Sequence, residues 1–358
     1  MDVLSEMKVW GHEQVVFCHE ASCGYFGIIA IHDTTLGPAL GGTRFWQYAS
    51  TDEAITDALR LARGMTYKAA AAGLNLGGGK AVIVGDNSRV DREALFRAHG
   101  RFVESLGGRY ITAEDIGTSP ADMEFIRRET SYVAGLMNLS GDPSPVTGYG
   151  VYMGMKAAAK RRWGSDSLAG RTVLVQGAGK VAYYLCANLH PEGARIVVTD
   201  IDAEKVKRVV KDFGATAVAP DAIYDQPGDI YAPCALGATV NDQTLGRLKV
   251  QVIAGGANNQ LAEERHGVEL EKRGLIYAPD FVINSGGLIN VYGELERWPQ
   301  ERAKRKAQEI YDVILKIFAI AERDGIPSFQ AADRVAEERI AAVTGLRKMW
   351  MGGRRPAV

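Results

Sequence analysis

The chain's hydrophobic and polar positions change rhythm several times, and each change marks an element. Two β-like runs come first, Gln14 to His19 and Tyr25 to His32, with Gly24 between them, and this predicts a hairpin. From Thr51 to Lys68 the period is helical. Ala54, Ile55, Ala58, Leu59, Leu61, Ala62 and Met65 share one broad face, and Ser50 with Glu53 predicts a capping box at its start. A Gly-rich turn then leads to a short buried strand, Ala81 to Val84. A helix from Asp91 to Leu106 follows, then a strand from Arg109 to Thr112 that runs out at Glu114-Asp115. This first part predicts a mixed α/β domain.

Asp142-Pro-Ser-Pro145 is the first strong punctuation and a candidate hinge. Beyond it the pattern predicts a helix from Gly150 to Trp163, a strand Thr172 to Gln176, a turn at Gly177 to Gly179 and a helix Val181 to Leu189. A strand Arg195 to Thr199 and a helix Ala203 to Phe213 come next. Short strand candidates follow at Ala217–Ala219, Asp229–Ala232, Val252–Ala254 and Ile276–Ala278. Strands alternating with helices predict a parallel sheet covered on both faces. One long amphipathic helix from Gln300 to about Arg323, and another from Gln330 to Thr344, precede a basic end.

Composition narrows the function. The 358 residues are 46% apolar and 24% charged, a globular balance, with a net charge of −1. So neutral a chain has no global field for nucleic acid or anionic lipid, which points to a small ligand held in a pocket. The 41 glycines exceed the usual share of about 7% and suggest tight turns and backbone close to a ligand. The four cysteines form no C-x-x-C pair and the six histidines no H-x-x-x-H spacing, so neither disulfides nor a metal site is expected. The acidic start lacks the apolar core of a signal peptide. No uncharged apolar run approaches the ~18 residues of a membrane span, so a cytoplasmic location is expected.

Gly177-Ala178-Gly179-Lys180-Val181-Ala182 fits G-x-G-x-x-A. It follows a strand, opens a helix, and precedes a strand that ends in an acid. Gly177 permits the turn, Gly179 lets backbone approach a pyrophosphate on the helix N-terminus, and Ala182 allows close helix–strand packing. The Asp200 carboxylate can accept bonds from both ribose hydroxyls and would repel a 2′-phosphate, which favours NAD over NADP. Lys180 adds a cation that could pair with phosphate.

The densest chemical signal is Gly64-Met-Thr-Tyr-Lys68 followed by Gly77-Gly-Gly-Lys80. A lysine among Ala and Gly is costly to bury unless paired or used, and burial lowers its pKa towards that of a working base. Each lysine alone also reads as a solvated surface residue. Asp115 stands at a strand end, where α/β chains place reactive groups, or else caps the helix near Pro120. Gly41-Gly42-Thr43-Arg44 reads as a backbone-exposing turn or a plain loop. Asn258-Asn259 and Asn284-Ser-Gly-Gly either bind a carboxylate or carboxamide or shape turns.

Together these segments resemble the Glu/Leu/Phe/Val dehydrogenase family over nearly the whole chain, most closely its members acting on leucine. The resemblance is carried by Ile31 to Arg44, Gly64 to Lys68, Ala72 to Lys80, Thr112 to Asp115, Pro145 to Gly150, Ala232 to Gly237 and Ala257 to Gln260. It implies NAD-dependent, reversible deamination of an apolar L-amino acid (leucine, valine or isoleucine) to the 2-oxo acid and ammonia, by a homo-oligomer. Lys80 is then the general base, Asp115 handles amine protonation, and Lys68 binds the substrate carboxylate. Gly41, Gly42 and Asn258 are further substrate contacts, while Thr147 and Asn284 lie on the nicotinamide side. Gly177, Ala178, Gly179, Lys180, Val181 and Asp200 hold the rest of the coenzyme. The side-chain pocket maps to Leu40, Ala113, Leu288 and Val291 with Gly79 on its wall. Gly79 and Leu288 are the types found in members preferring aromatic substrates, so phenylalanine is the alternative. A catalytically inactive NAD-binding sensor is a further one. The implied fold is α/β. A mixed-sheet substrate-binding and oligomerisation domain (1–145) is joined to a Rossmann-type NAD domain (146–327) across a catalytic cleft, and the C-terminal segment 328–358 packs back on the first domain.

Overall fold

A computed structural model describes residues 1–88, 91–136 and 141–345. It divides into two compact units. The first holds residues 1–141, with 294–297 and the chain from Ala336 on; the second holds Asp142–Gly293 and Trp298–Val335. Asp142, the first residue of the segment read above as a hinge, begins the second unit, and a helix starts at Ser144.

In the first unit, α1 (Val3–Trp10) precedes the hairpin of β1 (Gln14–Glu20) and β2 (Tyr25–Asp33). Then come β3 (Ala39–Trp46), α2 (Thr51–Ala71), β4 (Gly77–Val84), α3 (Glu93–Ser105), β5 (Tyr110–Glu114) and α4 (Pro120–Arg127). The sheet order is β1-β2-β4-β3-β5. β1, β2 and β4 pair antiparallel, while β3 lies parallel to both β4 and β5. Successive side chains face opposite sides of a strand. Ile28, Ala30 and Val82 accordingly pack under α2, whereas Ile29, Ile31, Ala81, Ile83 and Phe45 pack against Leu95, Phe96 and Val103 of α3.

Two sequence expectations change here. Gly41 to Arg44 is no turn: it lies within β3, a central strand. Gly77 to Gly79, read above as a Gly-rich turn, instead begins β4, buried. A Cβ on Gly78 would sit 2.1 Å from the Thr66 backbone nitrogen, so the glycine lets α2 press onto the sheet. These strands lack apolar alternation because neighbouring backbone fills the space side chains would take. Ser50 caps α2 as expected, but Glu53 accepts the Ala49 N–H, so the box is only half formed. Near the C-terminus, Arg339 donates to Leu74 O (2.6 Å) and Tyr67 to Glu337 (3.0 Å), which fastens the last helix to α2.

The second unit begins with α5 (Ser144–Trp163), then β6 (Thr172–Gln176), α6 (Lys180–Leu189), β7 (Arg195–Thr199), α7 (Ala203–Phe213), β8 (Thr216–Ala217) and β9 (Ile230–Pro233). β10 (Val252–Ile253), α8 (Glu264–Lys272), β11 (Ile276–Tyr277), α9 (Asp280–Ile283), α10 (Gly286–Leu295), α11 (Gln300–Gln308), α12 (Ile310–Asp324) and α13 (Ser328–Thr344) complete the chain. α5 starts six residues earlier than the pattern predicts, since proline is well tolerated in a first helical turn. The long helix expected from Gln300 is two helices: Glu309 N–H bonds to Lys306 O, a tightened turn that interrupts the ladder. The basic end lies outside the described residues. All pairings in the sheet are parallel, in the order β11-β10-β9-β6-β7-β8. Strand order reverses between β6 and β9, and beyond the carboxyl ends of strands at such a point doubly wound sheets bind their ligands. No helix among the described residues is long and apolar enough to cross a membrane.

Candidate active site

Lys80 is the central feature of the first unit. It lies on β4, on the same face as Val82, beneath α2, and is only 5% exposed. Its ammonium is in contact with the Asp115 carboxylate. Burial pushes Lys80 down to about 7. The positive charges of Arg44, Arg60 and Lys68 act the same way, while Asp57 opposes them. Asp115 in contact also favours the charged form, so the nitrogen stands between opposing influences. Lys68, near the end of α2, is half-buried and is thus one of the charges Lys80 feels.

Asp115 is not a helix cap. Ser119 caps α4, with Asp122 completing the box. Asp115 is instead fixed from its own backbone: its N–H donates to Thr118 Oγ1 (2.8 Å), and its Oδ1 accepts the Ile116 N–H (2.6 Å). Gly42 makes room for it, because a Cβ there would lie 2.8 Å from the Asp115 Cβ. Gly41, next in the strand, has its carbonyl held by the Tyr110 hydroxyl at 2.6 Å. Leu40 pairs with Gly78 and Ile111, and Gly42 with Ala113, so the proposed substrate contacts of this unit share three adjacent strands with Lys80.

Gly79 requires a correction. The resemblance puts Gly79 on the wall of the side-chain pocket, but the space a side chain there would take is already filled. A Cβ there would meet the Tyr110 ring at 2.7 Å and Ala30 O at 3.2 Å, so the space belongs to a fully buried tyrosine. Strand alternation turns position 79 away from Lys80.

Sequence reasoning gave no role to Arg44, Asp57 or Tyr48. Arg44 Nη2 lies 3.7 Å from Asp115 Oδ1, and its Nη1 donates to Asp57 Oδ2 at 2.7 Å. Asp57 also accepts from Tyr48 (2.8 Å) and Arg60 (3.0 Å). The available signal was Asp57 and Arg60 three residues apart on α2.

In the second unit, Gly177 adopts φ +106°, which side chains avoid. Gly179 is the N-cap of α6, with no side-chain cap bond. Asp200 Oδ2 accepts the Ala178 N–H at 2.7 Å, tying the end of β7 to the Gly loop. Ala178 is buried, and Val181 lies where a Cβ on Gly256 would touch it. Lys180 is 75% exposed and paired with Asp142 at 3.1 Å. Asn284 Nδ2 donates to Asn258 Oδ1 (2.6 Å), which brings the two predicted asparagines together. Thr147 donates to Pro143 O (2.9 Å), beside the start of α10, where a Cβ on Gly286 would lie 2.7 Å from Thr147 Cα. Leu288 and Val291 follow on α10, three residues apart and hence on one face. Asp242, Glu263 and His266 also gather in this unit, but Arg265 bonds both carboxylates there. A glycine turn at the switch point, a helix N-terminus and an acid at the second strand's end suit a dinucleotide with free ribose hydroxyls.

Comparison with known proteins agrees across both units. Residues 12–132 match the model for the Glu/Leu/Phe/Val dehydrogenase dimerisation domain, and 140–203 and 198–347 match that for glutamate/leucine/phenylalanine/valine dehydrogenase. The chain is 59% identical to leucine dehydrogenase of Thermoactinomyces intermedius (99% of this chain, 98% of that protein). It is 58% identical to that of Geobacillus stearothermophilus (98% and 96%). The crystal structure of L-tryptophan dehydrogenase from Nostoc punctiforme superposes with a TM-score of 0.88 at 47% identity, covering 96% of this chain and 99% of that one. With both halves matched and identity this high over the full length, the chain belongs to the Glu/Leu/Phe/Val dehydrogenase family.

Proposed function

We propose that this enzyme catalyses the NAD-dependent, reversible oxidative deamination of leucine, valine and isoleucine to their 2-oxo acids and ammonia. The observation that carries the reading is Lys80, buried beside Asp115 and held near neutrality by its surroundings. Bound at the Gly177–Gly179 turn and Asp200, NAD supplies the hydride acceptor. Loss of hydride from the substrate Cα leaves an iminium, which water must attack. Neutral Lys80 takes the proton from that water, and Asp115 exchanges protons with the departing amine. Lys68 pairs with the substrate carboxylate, and its charge also discourages protonation of Lys80. Atoms balance: amino acid, water and NAD⁺ give 2-oxo acid, ammonium, NADH and one proton.

The residues that the resemblance assigns to the side-chain pocket, Leu40, Ala113, Leu288 and Val291, carry no charge, which supports an apolar side chain. Leu288 and the similarity to an L-tryptophan dehydrogenase favour a second reading, an aromatic amino acid, but Gly79 no longer contributes to it. A match to a dimerisation domain supports a homo-oligomer. The test is NADH formation with leucine, valine, isoleucine, phenylalanine and a 2-hydroxy acid side by side. Highest kcat/KM for the branched-chain group is expected. Phenylalanine in first place would replace the substrate assignment, and no turnover with any amino acid would leave an NAD-binding sensor.

A further inference from the structure

Charges around Lys80 alternate in sign along one face of the first unit: Lys80, Asp115, Arg44, Asp57, Arg60. Asp115 comes from the end of β5, Arg44 from β3, and Asp57 and Arg60 from α2, which also brings Lys68. From β2, Ala30 lies opposite Lys80 and brings no charge. The four groups beyond Lys80 sum to zero, so the series is balanced when Lys80 is neutral. Arg44 is also the only member with a carboxylate on either side. Its Nε is buried without a hydrogen-bond partner, a cost proteins usually avoid, so the guanidinium is placed for its two carboxylates rather than for its own satisfaction.

We propose that Arg44 is a positioning residue that sets the pH at which Lys80 works, by competing with Lys80 for the Asp115 carboxylate. Without Arg44, Asp115 would have Lys80 as its cation, and the ammonium would be favoured. Asp57 acts in the opposite sense, because it draws Arg44 away from Asp115 and is itself a negative charge facing Lys80. The two residues therefore pull the base's working pH in opposite directions, although both belong to one salt-bridged cluster. This inference rests on Lys80 being the base and adds the residues that tune it.

The test is the pH profile of kcat/KM for leucine at saturating NAD, for wild type, Arg44→Gln, Arg44→Lys, Asp57→Asn and Lys80→Ala. The substrate's own amine titrates identically in all five. The wild-type profile should rise through a limb near 7 that is missing from the residual activity of Lys80→Ala. In Arg44→Gln that limb should move up by about one pH unit, so that activity falls about fivefold at pH 7 and about tenfold at more acid pH while the alkaline plateau recovers. In Asp57→Asn it should move down, and Arg44→Lys should stay nearer wild type than Arg44→Gln. Loss of packing alone would scale every pH point equally or move both limbs together. A limb that stays in place in both Arg44→Gln and Asp57→Asn, or moves the same way in both, overturns the role of Arg44 and leaves Lys80 standing. A wild-type limb that persists in Lys80→Ala instead overturns Lys80 as the base, and this inference with it.

Discussion

The two sheets place their chemistry differently. In the first unit Lys80, the lysine proposed as the base, sits in mid-strand, on the buried face of β4 under α2. In the second the strands are filled with apolar side chains, such as Val173, Leu174 and Val175, and the candidate groups stand off the strands, in turns and in helices. The difference follows from the role proposed for each. A lysine is brought towards neutral pH by removal from water and by nearby positive charge, and a strand interior with a helix over it supplies the first. A coenzyme must enter and leave, which suits a helix N-terminus at the rim of the sheet. The first unit accepts buried charge to gain reactivity; the second keeps its core dry and offers geometry.

The largest effect that separates the two roles should come from Lys80→Ala. Removing a general base costs about 10²- to 10⁴-fold in rate. Asp115 keeps Arg44 as a partner, so the first unit should still fold. NAD affinity, measured by quenching of protein fluorescence, should stay within about twofold, since the groups proposed to hold it lie in the second unit. Turnover near wild type would remove Lys80 from the mechanism, and a parallel loss of NAD binding would break the division of labour.

The same division explains what the sequence disclosed. In the second unit β6, β7 and α7 match the pattern residue for residue, because each apolar run is bounded by turn residues and the glycine motif sits where its chemistry requires. In the first unit β3 was hidden. Leu40-Gly-Gly-Thr-Arg44 carries no alternation a strand would show, since Gly42 yields its space to Asp115 and Gly41 to the Gly79 backbone. Lys68, Lys80 and Asp115 stood out as motifs, but the link through Arg44 and Asp57 depends on strand pairing and on the register of α2, and no local window contains either. α8 and α10 also went unread, having short or glycine-led patterns.

Acid should sharpen the contrast next. The first unit buries His99 between Tyr25 and Thr43, His12 against Leu59 O, and His32 between Thr66 and Trp10 O. Burial pushes His99 down to about 3 and His12 to about 4, and lowers His32 as well. These rings stay neutral in the fold but take a proton in the unfolded chain below about 6.5, so the unfolded state binds more protons and stability falls with pH. By pH 5, His12 and His99 should each have cost about 2 kcal/mol. In the second unit His190 is exposed and His266 is paired with Asp242. Hydrogen exchange followed from pH 7 to 5 should therefore show β2 and α3 losing protection before β6 and β9. Equal loss in both units would mean that these histidines do not set acid stability.

The smallest effect concerns Gly79 and decides whether the first unit reads substrate size at that position. Adding a methyl to a filled site costs about 1–3 kcal/mol through forced shifts. In Gly79→Ala the shift falls on Tyr110, whose hydroxyl holds Gly41 O, so the cost should appear as a lowered Tm. The leucine-to-phenylalanine ratio of kcat/KM should change by less than about threefold, because the methyl enters the α3-side core and not the face that carries Lys80. Combining Gly79→Ala with Tyr110→Leu should cost less than the two changes added separately, since the smaller side chain vacates the contested space and contacting residues do not act additively. A tenfold swing in substrate ratio with Tm unchanged would return Gly79 to the pocket wall, and strict additivity in the double variant would mean that Tyr110 is not what fills its place.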